Sequence, residues 1–141
     1  MNRLSVTVVS RKNRSDKVLQ QYRSQLQQVV ARGANMVRNT AVESIRAHNS
    51  TGRTYRKYNP NRIHVASLAG NPPNTDTGYL ASNVHVVIDP DRLGASVESR
   101  AEYSAHLEFG TSKMGARPFL QPALEENKPK IRALYKKLRA R

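Results

Sequence analysis

Leu4, Val6 and Val8 alternate with Arg3, Ser5 and Thr7 near the start of the chain, the two-residue period of a strand. The period then changes. Leu19, Tyr22, Leu26, Val29, Val30, Gly33, Val37, Ala41 and Ile45 recur at steps of three and four, with Arg and Gln between them. That spacing predicts an amphipathic helix over residues 15–48. Ser15 and Asp16 are suited to cap it, and Gly33 close to Asn35 marks a place where it would break or bend. At 1.5 Å per residue such a helix runs about 50 Å, longer than the core of a small domain, which points to a neighbouring subunit.

Residues 49–83 lose this regularity. They are rich in Asn, Pro, Gly and Thr, and only "IHVAS" in their middle reads as a short strand. The segment is expected to be an extended arm, with Tyr55, Tyr58, Ile63, Val65, Leu68, Pro73, Tyr79 and Leu80 available to dock on another surface. "NVHVVIDP" and "GASVES" predict a hairpin around the turn "DPDRLG". Tyr103 to Phe109 reads as a short helical turn and 110–117 as a loop. Pro118 suits the first position of a helix striped by Leu120, Leu124, Ile131, Leu134 and Leu138. Pro129 is expected to kink or divide that helix. The fold class is α+β: one domain over residues 1–141, with a long N-terminal helix and a C-terminal helix packed on a small antiparallel sheet. Residues 128–141 read as a basic helical tail.

Charge changes the picture most. The chain has 24 Lys and Arg against 10 Asp and Glu, a net charge of +14. Residues 1–62 carry 13 basic and 2 acidic side chains, and residues 128–141 carry 7 basic and none acidic. A surplus of this size favours polyanions or an acidic protein surface as partners. "GRTYRKYNPNR" interleaves Tyr55 and Tyr58 with Arg53, Arg56, Lys57 and Arg62, which suits phosphate contact with base stacking; Lys136, Lys137 and Arg139 are further candidates. The sequence carries no helix-turn-helix, zinc-finger or RNA-binding sheet signature, so contact of this kind would be non-specific.

Candidate chemistry is sparse. There is no cysteine, and the histidines, His48, His64, His85 and His106, lie far apart without metal-ligand spacing. His106 and Glu108 are two residues apart and do not share a helix face. No nucleophile elbow or phosphate loop is present. The N-terminus lacks the pattern of a signal peptide, and no apolar run reaches the ~18 residues of a membrane span, so a cytosolic, soluble chain without catalysis, metal or cofactor is expected.

Two linked blocks carry a resemblance. "YSAHLEFGTSKMGARPFLQPAL" contains Tyr103, Glu108, Phe109, Gly110, Thr111, Arg117, Pro118, Phe119 and Pro122; upstream stand Ser67, Gly70, Pro73, Asp76, Thr77, Gly78 and Leu80. Together, and in this order, they resemble the neck or tail-completion (head–tail joining) proteins of tailed bacteriophages, over essentially residues 10–140. Gly115, Pro129 and the N-terminal "LSVTVV" depart from the family pattern. The resemblance implies a non-catalytic virion protein, assembled in the host cytoplasm. It would form a homo-oligomeric ring, six- or twelve-fold, in the neck between portal or head-closure proteins above and the tail terminator or tube below. Genomic DNA would pass through the ring.

On that reading Phe109 and Phe119 would be apolar anchors at a subunit or partner interface that also includes Tyr103, Gly110, Thr111 and Pro118. Arg117 would pair with Glu108 of its own or an adjacent chain. A free basic nucleic-acid-binding protein is the alternative.

Overall fold

The computed structural model describes residues 14–47, 52–58, 61–74 and 76–138. The chain is α+β. Helix α1 (Arg14–Arg46) is followed by strands β1 (Thr54–Tyr58) and β2 (Asn61–Val65), the single turn α2 (Tyr79–Ser82), strands β3 (Val84–Ile88) and β4 (Ala95–Ser99), and helices α3 (Ser104–Phe109) and α4 (Leu120–Lys136). The strands form two separate antiparallel hairpins, β1–β2 and β3–β4. The strand expected at Leu4–Val8 and the basic Arg139 lie outside the described residues.

The three- and four-residue period of α1 becomes a buried stripe only in its second half. Val30, Gly33, Val37, Ala41, Val42 and Ile45 are buried, and no residue of α1 before Val30 is. Val37, Ala41, Val42 and Ile45 meet Leu80 and Ala81 of α2, Val84 of β3, Ala101, and Phe119 and Ala123 from α4 and its approach. Gly33 does not break the helix. A Cβ added there would lie 3.3 Å from Cγ1 of Ile131, so the missing side chain lets α4 cross close to α1. Buried Asn127 ties the same two helices together: its Nδ2 donates to Thr40 Oγ1 at 2.9 Å and to the carbonyl of Ala123 at 2.8 Å. Pro129 neither ends nor divides α4, which runs unbroken to Lys136. It stands on the exposed face of the helix, as does Glu125, whose carbonyl its ring deprives of a donor.

The β3–β4 hairpin sits against α1 as the apolar alternation predicts. Its register runs from Val84 opposite Ser99 to Ile88 opposite Ala95. Gln27 Nε2 donates to the carbonyl of Asp91 at 3.0 Å, fastening the turn to α1, and Arg38 Nε donates to the carbonyl of Val84 at 3.3 Å.

The expected extended arm is instead a hairpin followed by α2. β1 pairs with β2 from Thr54 opposite Val65 to Tyr58 opposite Asn61. All of β1 is exposed, so no buried face marks it as a strand in sequence. A two-stranded hairpin without a packed face is marginal on its own, and this one is held by polar bonds at its base. Gly52 and Arg53 exchange backbone hydrogen bonds with Ala66, and Asn74 Nδ2 donates to the carbonyl of Val65 at 2.7 Å.

Candidate functional site

The segment from Tyr103 to Leu124 folds as a joint between α3 and α4. Gly110 ends α3 at φ 75°, and a Cβ there would lie 2.8 Å from the nitrogen of Ala116, so the position accepts glycine alone. Thr111 and Met114 exchange backbone hydrogen bonds across a tight turn that presents Ser112 and Lys113 to solvent. The chain then returns alongside α3, where the Arg117 N–H donates to the carbonyl of Leu107 at 2.6 Å.

Glu108 meets this return with its carboxylate. Oε2 accepts from the backbone N–H groups of Phe119, at 2.8 Å, and Leu120, at 3.1 Å, while Oε1 accepts from Gln121 at 2.8 Å. One carboxylate thus satisfies three free donors at the start of α4 and places negative charge at the positive end of the helix dipole. Glu108 is therefore not the partner of Arg117 within the chain. Arg117 Nε instead donates to the carbonyl of Ser67 at 3.0 Å, reaching the upstream block. Gly70 N donates to the carbonyl of Ala116 at 2.7 Å, and Gly115 passes so close to Ala69 that a Cβ would lie 2.7 Å from that methyl. The two blocks singled out in sequence are one stitched unit.

The two phenylalanines part company. Phe119 is 1% exposed and belongs to the core, so it is no anchor for a partner. Phe109 is 82% exposed. Tyr103 is exposed, its ring 6.2 Å from that of Tyr79, and burial of its hydroxyl raises the pKa of the phenol. Thr111 is exposed, while Gly110, Arg117 and Pro118 are half-buried. Of the residues expected to dock an arm, Leu80 and Pro73 are buried within their own chain and Val65 is half-buried; Tyr55, Tyr58, Ile63, Leu68 and Tyr79 face outward.

A second node centres on Asp76. Arg62 Nε and Nη2 donate to its two carboxylate oxygens at 2.8 and 2.9 Å, Lys57 Nζ joins it, and His64 Nδ1 lies 3.6 Å away. The bidentate bond from Arg62, then Lys57, hold the Asp76 carboxyl well below the usual carboxylate range, and the same bond raises Arg62. Lys57 and Arg62 are thus tied to a carboxylate of their own chain, which lowers their worth as phosphate contacts. Arg53 and Arg56 remain outward, with Arg56 over the ring of Tyr58 at 5.8 Å and its Nε on Asn61 Oδ1 at 3.3 Å. Lys136 and Lys137 are exposed at the end of α4.

The central role of Asp76 was not assigned from sequence. Lys57 and Arg62 face each other across the hairpin, and two facing cations call for a carboxylate between them. That was the available signal.

A cavity of about 520 Å³ opens beside the node, bordered by Tyr55, Tyr79, Tyr103 and Arg117. Ser67 Oγ and Asn74 Oδ1, both on its lining, have no hydrogen-bond partner among the described residues. A larger apolar groove of about 1110 Å³ lies on the other side of the joint, between α1, β4 and α4, with Phe109 at its rim. Among the described residues no three His, Asp or Glu side chains gather as a metal site, and no helix is long and apolar enough to cross a membrane. The chain matches no family model, no curated protein and no solved structure.

Proposed function

We propose that this chain is a non-enzymatic structural subunit of the tailed-phage neck, joining head to tail as a homo-oligomeric ring. The observation that supports this reading best is the joint itself. Glu108 and Arg117 are used in building a fixed shape: Glu108 caps α4, and Arg117 binds the carbonyl of Ser67. Phe109 is the most exposed of its large apolar side chains and stands on the rim of an apolar groove. An arrangement that spends its charges on rigidity and leaves an aromatic ring exposed suits assembly better than turnover. The half of α1 that carries no core would lie against a neighbour, and basic surfaces would meet acidic portal or tube proteins.

The test is genetic and visual. With the gene disrupted in the phage that encodes it, filled heads and separate tails should accumulate, and wild-type protein supplied in trans should restore joined particles. Intact virions from the disrupted phage would refute the proposal. The nucleic-acid reading keeps one specific support, the outward Arg53 and Arg56 beside Tyr55 and Tyr58 on β1–β2. Tight binding to duplex DNA at about 150 mM salt by the purified protein would favour it instead.

A further inference from the structure

The cavity of about 520 Å³ beside the Asp76 node lies between one face of β1–β2, which supplies Tyr55 and His64, and the body of the domain, which supplies Tyr79, Tyr103, Leu107 and Met114. Its volume falls within the ~300–1,000 Å³ of small-ligand sites. Besides His64, its charged lining is Lys57, Arg62 and Arg117 against Asp76 alone.

The three cations are not equivalent. Asp76 takes a bidentate bond from Arg62 and a further one from Lys57, so both are committed. Arg117 is committed through Nε alone, to the carbonyl of Ser67, and among the described residues its two terminal nitrogens make no hydrogen bond. A half-buried guanidinium anchored at Nε presents that pair of nitrogens as a fork matched to a carboxylate.

Two polar atoms beside the fork are orphans. Ser67 is 1% exposed, yet its Oγ has no partner among the described residues. Neither has Oδ1 of Asn74, whose Nδ2 is held by the carbonyl of Val65. An unpaired polar atom on a cavity wall marks a place where an occupant can supply the partner. Asn74 hangs on the carbonyl of Val65 and Arg117 on that of Ser67, and the chain between them spans at most about 7 Å. An acceptor, a hydroxyl and a guanidinium fork thus stand in a row about as long as one amino-acid residue.

We propose that this cavity receives an acidic side chain, aspartate or glutamate, from an extended segment of a partner protein. The carboxylate takes the fork of Arg117 and the Ser67 hydroxyl, the backbone N–H of the same residue meets Asn74 Oδ1, and the rings of Tyr55, Tyr79 and Tyr103 flank the side-chain stem. One uncommitted fork suits one carboxylate. A bare phosphate, which brings acceptors, would leave Asn74 Oδ1 without a donor. The chain's net charge of +14 favours acidic protein surfaces, and the three tyrosines, all exposed at the rim, offer the amphipathic contact that interfaces use. The inference does not rest on the neck reading.

The test follows isotope-labelled full-length protein by NMR, with the capped tripeptide acetyl-Gly-Glu-Gly-amide as probe. The peptide should shift the Arg117 Nε–H and the amides of Ser67 and Thr77 along a saturating curve, half-complete at about 1–10 mM. The capped Gly-Gln-Gly peptide, alike in size and uncharged, should bind at least about tenfold more weakly. Ser67→Ala is the informative variant, because Arg117 also braces the joint. It should weaken binding of the Glu peptide by about three- to tenfold while the melting temperature holds or rises, since the hydroxyl has no internal bond to lose. A lower melting temperature with unchanged binding would make Ser67 structural and overturn the inference. Equal binding of the two peptides, or no saturable shift by about 50 mM, would overturn it as well. Inorganic phosphate shifting the same resonances at lower concentration than the Glu peptide would overturn it in favour of a phosphate-bearing ligand. None of these results touches the neck reading, which is decided by the disrupted phage.

Discussion

Arg117 and Ser67 stand fifty residues apart and meet through one hydrogen bond, guanidinium Nε to backbone carbonyl at 3.0 Å. The bond fastens the α3–α4 joint to the segment leading from β2 toward α2. An arginine that looks in sequence like a partner for a carboxylate serves instead as an internal strut. Arg117→Ala leaves a half-buried carbonyl without its donor and should lower stability by about 1–3 kcal/mol in urea unfolding. Arg117→Lys, lacking the planar fork, should recover only part of the loss.

Glu108→Ala removes the acceptor for three backbone donors at the start of α4. A loss of about 1–2 kcal/mol is expected, read as a lower urea midpoint with an unchanged slope. Glu108→Gln keeps one acceptor oxygen and should fall between the two. A wild-type midpoint for Glu108→Ala would show that the cap carries no weight.

The two phenylalanines should separate stability from association. Phe119→Ala empties a fully buried site and should cost about 3–5 kcal/mol. Phe109→Ser, at an exposed position, should change the unfolding free energy by no more than about 0.5 kcal/mol. If the exposed ring serves assembly, Phe109→Ser should also reduce the oligomer mass measured by light scattering at equal concentration.

Asp76 ties the β1–β2 hairpin to the domain, and its folded pKa is depressed by Arg62 and Lys57. Its contribution is therefore fully present above its unfolded pKa of about 3.9 and is lost as pH falls from there toward the lower folded value. Amide exchange should show β1 and β2 losing protection on acidification below about pH 4. Asp76→Asn should make the hairpin poorly protected at neutral pH as well. Equal protection in wild type and Asp76→Asn would remove Asp76 from that role.

Much of the fold is written in local periodicity. The stripe from Val30 to Ile45 and the alternation around Val84–Ile88 and Ala95–Ser99 each declare an element because one face packs inward. Pro118 marks the start of α4 only approximately, since it stands two residues before Leu120 with Phe119 as N-cap. "IHVAS" signals β2, but β1 is silent by the same logic: all of it is exposed, and its order comes from bonds to β2 and to Asp76, distant in sequence and unreadable by any period. Pro129 does not divide α4, because a proline on the exposed face of a helix can be accommodated without ending it. At the joint, the residues were legible and their employment was not. Glu108 and Arg117 act on groups 11 and 50 positions away, and such partnerships are set by the packing of α3 against α4 and the segment after β2.

The first half of α1, which buries no residue, has a consequence of its own. A helical stretch with little tertiary cover is marginal in water, because propagation alone adds little stability per residue. The order of Arg14 to Ser24, ahead of the Gln27 bond to Asp91, therefore depends on what lies beside it. Diluting the protein should unwind this half before the core feels anything, so far-ultraviolet circular dichroism against concentration would act as a gauge of how many molecules have found one another.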